Sequence, residues 1–131
     1  MDCLVIFQHR SDPDHYYSVY HTMDYTINNF ITYLARSKNG MDNWELITAL
    51  DEEASQVKVW LSPDSDDILL AYEASPGFKG NFIVIKQYPN LWALTNRKAS
   101  ETIIFDRTLG LINEGTPSFE DVHFTGSLFT S

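Results

Sequence analysis

The pattern of apolar and polar positions predicts mostly short strands along this chain. Val57, Val59 and Leu61 fall on one face of a strand, and Lys58 and Trp60 fall on the other, as in a sheet with one covered face. Runs of this β type recur along the sequence and are separated by turn-forming residues, which is typical of an antiparallel meander. They cover residues 3–8, 15–22, 44–50, 56–61, 68–73, 81–87, 91–96 and 102–106.

One segment departs from the β pattern and has helical spacing. Its apolar positions at i, i+3, i+4 and i+7 are Ile27, Phe30, Ile31 and Leu34. Asp24 is suited to the N-cap position, two basic residues lie in the last turn, and Gly40 can end the helix. The pattern therefore predicts an amphipathic helix over residues 24–38. Its apolar face is expected to pack against Val57, Val59, Ile83 and Ile85.

These elements predict an α+β fold, in which an antiparallel sheet of about six to eight strands carries one amphipathic helix packed across it. The 131 residues fit a single domain over residues 1–131. Residues 108–131 are irregular but apolar, so we expect them to pack on the domain or on a partner, with a homodimer as one option. Residues 41–54 leave a second helix open as an alternative to a strand, because Asp42 and Glu45 have the spacing of a capping box.

Acidic residues dominate the first part of the chain. The sequence has 18 acidic and 9 basic residues, which gives a net charge of −9. Residues 1–76 hold 13 acids and 4 bases, whereas residues 77–131 hold 5 of each, so the excess lies entirely in the first range. A negative surface is repelled by nucleic-acid backbones and by anionic membranes, which argues against direct binding to either.

The excess is greatest between residues 39 and 76, where nine acids accompany Lys58 alone. A surface of one sign accelerates association with a partner of the opposite charge. Trp60 falls between two acidic turns on the outward face of its strand, as an interface anchor would. The expected partner-binding residues are Asp51, Glu52, Glu53, Trp60, Asp64, Asp66 and Asp67. The competing interpretation is a solvated acidic face that only aids solubility.

Taken together, these features predict a small acidic binding protein. We expect an inhibitor or immunity-type antagonist that docks an acidic face onto a basic site of a protein partner, such as a nucleic-acid-handling enzyme. The sequence has no phosphate-binding loop, nucleophile elbow or HExxH motif, so a non-catalytic role is favoured and no catalytic residue is assigned. The single cysteine, Cys3, and the lack of a visible signal peptide favour a cytoplasmic protein.

The alternative is a metal-binding module or a small enzyme built on the first hairpin. Its candidate residues are His9, Asp12, Asp14 and His15. Imidazole and carboxylate ligands together suit zinc and other transition metals, and a histidine pair suits acid–base chemistry. The acids at 64–67 offer oxygen ligands for weak calcium binding, but they lack the glycine and distal glutamate of an EF-hand. No other cofactor is expected.

Overall fold

The computed structural model describes residues 2–38, 43–74 and 82–106, which form eight β-strands and one short helix. Their bounds are β1 Asp2–Phe7, β2 His15–Asp24, β3 Asn29–Lys38, β4 Trp44–Glu52, β5 Ala54–Leu61, β6 Ile68–Ala74, β7 Phe82–Tyr88, α1 Leu91–Thr95 and β8 Glu101–Asp106. The strands form two antiparallel sheets, in the orders β1-β2-β3-β4 and β5-β6-β7-β8. The fold is therefore mainly β rather than α+β.

The helix predicted over residues 24–38 is wrong, because this segment is half of a hairpin. β2 and β3 pair along all ten residues of each strand. The carboxylate of Asp24 does accept a backbone hydrogen bond, from the N–H of Thr26 at 2.8 Å, but it does so in the hairpin turn, where Asn28 has a φ of 54°. The same hydrogen bond from a backbone N–H to an aspartate side chain can begin a helix or stabilise a turn. The presence of Asp24 in the sequence therefore did not distinguish the two structures.

Only some of the residues expected to form the core beneath that helix belong to the observed core. Leu34 and Val57 are fully buried and belong to the core, whereas Ile27 is 39% exposed in the hairpin turn. Ile83 and Ile85 are half-buried on β7. A strand presents alternate residues to each face, so residues at helical spacing cannot all pack on one side of it.

Helix α1 replaces the strand predicted at residues 91–96. Its N-cap is Asn90, whose side-chain oxygen accepts a hydrogen bond from the backbone N–H of Ala93 at 2.8 Å. The helix considered for residues 41–54 is wrong in its described part, because β4 occupies most of it. The other predicted strands are confirmed, with ends that differ by at most two residues.

The two sheets pack on each other, with β5 in contact with β1, β2 and β3. A single cluster of buried side chains runs through both sheets and α1. It contains Phe7, Tyr17, Val19, Leu34, Leu50, Ala54, Val57, Ile68, Leu70, Tyr72, Val84, Tyr88, Leu91, Ala93 and Leu94. The chain passes between the sheets at Glu53, which alone separates β4 from β5 and has a φ of 55°. We call this residue and Glu52 the acidic corner.

Hydrogen bonds also join the sheets close to this corner. The hydroxyl of Thr32 on β3 donates to the carbonyl oxygen of Ala54 on β5 at 2.9 Å. The backbone N–H of Gln56 donates to Nδ1 of the buried His21 at 3.1 Å, at an irregularity in β5 where Gln56 has a φ of 57°. These bonds give buried polar groups partners at the point where the sheets meet.

No helix in the described parts of the chain is long and apolar enough to cross a membrane. The packing expected for residues 108–131, and the homodimer contact suggested for them, lie outside the described residues. The single domain over the whole chain stays a prediction for the same reason.

Candidate functional site

The structure divides the predicted partner-binding acids between the two ends of β5. Glu52 and Glu53 lie at the corner before this strand, and Asp64, Asp66 and Asp67 lie in the loop after it. A strand rises about 3.3 Å per residue, so eight residues separate the two groups by roughly 25 Å. The acids therefore form two separate surfaces.

Asp51 belongs to the interface between the sheets and not to either surface. Its Oδ1 lies 2.6 Å from Nζ of Lys86 on β7, and the side chains are only 17% and 21% exposed, respectively. Burial, reinforced by the negative charge of Asp51, raises the pKa of Tyr72 far above its ordinary value. Asp51 is thus held by structural contacts.

The loop after β5 lies against the loop after β1. Nε of Arg10 donates to Oδ1 of Asp66 at 2.8 Å, and Nε2 of the buried His9 lies 3.0 Å from the carbonyl oxygen of Asp66. The hydrogen bond from Arg10 lowers the pKa of Asp66. We call these two segments, residues 8–14 and 62–67, the acidic loop pair.

Two carboxylates of the acidic loop pair are turned to solvent. Asp14 and Asp64 are exposed, and neither makes a salt bridge to any residue in the described part of the chain. Asp67 is instead held by the hydroxyl of Ser65 at 2.7 Å and by Nε2 of Gln87 at 3.1 Å. The loops are therefore fixed by some of their acids and leave others available to a partner.

The first hairpin brings Asp12 and His15 into contact. Nδ1 of His15 lies 2.9 Å from both carboxylate oxygens, and the hydroxyl of Tyr17 donates to Oδ2 of Asp12 at 2.7 Å. Burial opposes ionisation of Asp12, but the hydrogen bonds from His15 and Tyr17 outweigh it and lower the pKa of Asp12. Burial and the Asp12 carboxylate raise the pKa of Tyr17 to about 12.

The other two metal candidates do not join this pair. The backbone N–H of Ser11 donates to Nδ1 of His9 at 3.1 Å, so Nε2 carries the proton and donates to the carbonyl of Asp66. Asp14 is exposed on the loop. Within the residues that the structure describes, no group of three or more metal-ligating side chains converges.

Two tryptophans differ in exposure. Trp60 is half-buried on β5, whereas Trp92 is 62% exposed on α1, with the ammonium of Lys98 6.0 Å from its ring centroid. The sequence pattern indicated only Trp60 as an anchor and placed Trp92 in a strand at residues 91–96. The signal that was missed is the helical spacing of Leu91 and Leu94, which are buried and leave Trp92 on the opposite face.

No protein family, no curated protein and no solved structure matches this chain. The structure itself identifies three groups of candidate functional residues. They are the acidic loop pair, the acidic corner at Glu52 and Glu53, and the contact between Asp12 and His15.

Proposed function

We propose that this protein is a non-catalytic binding module that docks an acidic surface onto a basic site of a protein partner, as an inhibitor or immunity-type antagonist does. The acidic loop pair carries the proposal. Asp66 holds the two loops together through Arg10 and His9, while Asp14 and Asp64 remain exposed. A surface that is already ordered loses little conformational freedom on binding, and its charge speeds association.

A nucleic-acid-handling enzyme suits this surface, because the groove of such an enzyme is lined with cations for phosphate. The acidic corner would supply a second contact at the far end of β5. Trp60 is the anchor expected from the sequence, and the exposed Trp92 is a second candidate. The proposal retains the cytoplasmic location expected from the sequence.

The test is affinity capture from the native host, followed by binding kinetics with the captured partner over a range of salt concentrations. The loop variant carries Asp14→Asn and Asp64→Asn, and the corner variant carries Glu52→Gln and Glu53→Gln. We expect the loop variant to associate about tenfold more slowly at low salt, with the difference shrinking as salt screens the charges.

A control variant with Glu45→Gln and Glu101→Gln removes the same charge from β4 and β8. It should slow association less than the loop variant does. Equal effects of the loop and control variants would show that only the total charge matters, and the docking surface would then be abandoned. Trp60→Ala and Trp92→Ala identify the anchor, because loss of a buried aromatic raises the dissociation rate with little dependence on salt.

The contact between His15 and Asp12 supports a second candidate function, a metal-binding or small catalytic centre. Stoichiometric zinc in the purified protein, lost in His15→Ala but retained in His123→Ala, which changes a histidine remote in sequence, would favour it over docking. A metal content unaffected by His15→Ala would count against this centre.

A further inference from the structure

A cavity of about 340 Å³ opens at the end of the first sheet, where β2 begins and β3 ends. It is lined by His15, Arg36, Lys38, Asn43, Trp44 and Glu45. Its size lies at the small end of the range of about 300–1,000 Å³ that ligand pockets occupy. None of these lining residues belongs to the acidic loop pair, so the cavity is separate from its exposed carboxylates.

The strand register explains why basic side chains meet there. His15 pairs with Lys38, and Tyr17 pairs with Arg36, which in turn pairs with Glu45 of β4. Residues that pair across strands, or that lie two apart along one strand, share a face of the sheet. The register therefore brings an imidazole, a guanidinium and an ammonium together at one end of the first sheet, in a protein whose net charge is −9.

The basic side chains of this cavity differ in whether they already have an acidic partner. Nη2 of Arg36 donates to Oε1 of Glu45 at 2.7 Å, and hydrogen bonds from Arg36 to Glu45 and Tyr17 raise the pKa of the guanidinium. Lys38 is exposed and makes no salt bridge within the described residues. The lining thus carries an excess of positive charge that is centred on Lys38.

We infer that this cavity binds a small organic monoanion of the carboxylate class. Lys38 supplies an ammonium and Arg36 a guanidinium as partners for a carboxylate, and planar guanidinium groups suit that geometry. Glu45 on the rim repels a second negative charge, which favours a monoanion over a phosphate dianion.

Benzoate is the probe for this inference, with benzamide as its neutral isostere and inorganic phosphate as an anion of higher charge. Binding is followed by calorimetry and by amide chemical shifts in the full chain. We expect saturable benzoate binding with shifts centred on His15, Lys38 and Asn43, and binding of benzamide about tenfold weaker, since charge-assisted hydrogen bonds are lost. Phosphate should bind more weakly than benzoate.

Lys38→Gln is the main variant, because Lys38 is exposed and its replacement leaves the packed residues intact. It should weaken benzoate binding about fivefold or more, while the matched Lys58→Gln on β5 should leave it unchanged. Thermal unfolding of each variant separates lost binding from lost folding.

Several results would overturn the inference. These are the absence of saturable benzoate binding, equal affinity for benzoate and benzamide, tighter binding of phosphate, or equal effects of Lys38→Gln and Lys58→Gln. None of them bears on the proposed docking function, whose loop and corner variants change no residue that lines the cavity.

Discussion

The ammonium of Lys86 on β7 lies 2.6 Å from the carboxylate of Asp51 on β4, so an ion pair links the two sheets where their side chains are four-fifths buried. The same ammonium lies 5.7 Å from the ring centroid of Tyr72. Asp51 was expected from the sequence to contact a partner. The geometry instead gives it an internal partner, and removing one partner of a pair at this depth costs more stability than at an exposed pair, because it leaves a desolvated charge unpaired.

We expect Asp51→Asn to lower the free energy of unfolding by about 2 kcal/mol, between the values typical of exposed and fully buried pairs. Lys86→Met should cost a similar amount, because it leaves a desolvated carboxylate. The double variant should cost clearly less than the sum of the two, as measured by urea unfolding. Strict additivity would show that the pair does not interact, and Glu45→Gln, at an exposed pair, should have a much smaller effect.

Because residues 91–95 are helical, we expect opposite effects on stability when two nearby apolar residues are truncated. Leu94 is fully buried, so Leu94→Ala should lower the free energy of unfolding by about 2–5 kcal/mol. Trp92 is 62% exposed, so Trp92→Ala should change it by no more than about 0.5 kcal/mol. A strand would place both residues on one face. Similar losses for both in urea unfolding would therefore contradict the helix.

The acidic corner depends on a backbone conformation that favours glycine. Glu53 has a φ of 55°, where a residue with a Cβ is strained by about 1–2 kcal/mol, whereas glycine loses about 0.5–1 kcal/mol of backbone entropy. Glu53→Gly should therefore leave the free energy of unfolding unchanged or slightly raised. Glu53→Pro fixes φ at the opposite sign and should lower it by about 3 kcal/mol.

Glu52 is the matched control for this corner, because it lies in β4 and pairs with Ile31. Glu52→Gly should be destabilising by about 0.5–1 kcal/mol in the same chemical denaturation experiment. If glycine destabilised position 53 more than position 52, the left-handed corner would be incorrect.

Acid should destabilise the protein through Asp12. Its pKa lies below the ordinary value of 3.8, so the unfolded chain takes up the proton first. The stabilisation from Asp12 is present above that value and is lost as the pH falls through the lower pKa of the folded state. Asp12→Asn should reduce stability at neutral pH and flatten its decline in acid. Asp14→Asn, which removes an exposed carboxylate from the same loop, is the matched control.

Alkali should destabilise the protein through its buried tyrosines. Burial raises the pKa of Tyr17 to about 12 and raises those of Tyr72 and Tyr88 further, with nearby carboxylates adding to each shift. The contribution of these tyrosines to the free energy of unfolding is complete below pH 10, the ordinary pKa of tyrosine. It is lost as the pH rises toward their raised pKa values in the folded protein. Part of the tyrosinate absorbance should therefore appear only together with loss of the β-sheet circular dichroism signal. Complete ionisation with the sheets intact would contradict this.

Most of the strands were predictable from the sequence because turn-forming residues separate short runs rich in apolar residues, even for β6, whose first five residues are all buried. β3 was not, because its buried positions include the polar Thr32 and Ser37, which interrupt the apolar run. The apolar residues of β3 therefore do not alternate with polar ones, and Phe30, Ile31 and Leu34 match helical spacing by coincidence. Aromatic and β-branched residues in this segment favour a strand, but this weak preference is decided by tertiary packing.

The candidate site shows the same limit. The sequence located the acids correctly at opposite ends of β5, because strand length fixes that separation. It did not reveal that Asp51 pairs with Lys86, or that Asp66 joins Arg10, since these partners are 35 and 56 residues apart. The basic cavity was likewise missed, because its residues are brought together by strand register and not by any local motif.

The order of strands has a consequence for how the chain folds. Among the described residues, every ladder joins strands that are consecutive in sequence, so each forms by closing a short loop, at low entropic cost. Remote contacts occur where the sheets dock, as between His9 and Asp66, which are 57 residues apart. Non-local contacts are the slow ones to form, so we expect the docking of two separately formed meanders, and not strand pairing, to set the folding rate.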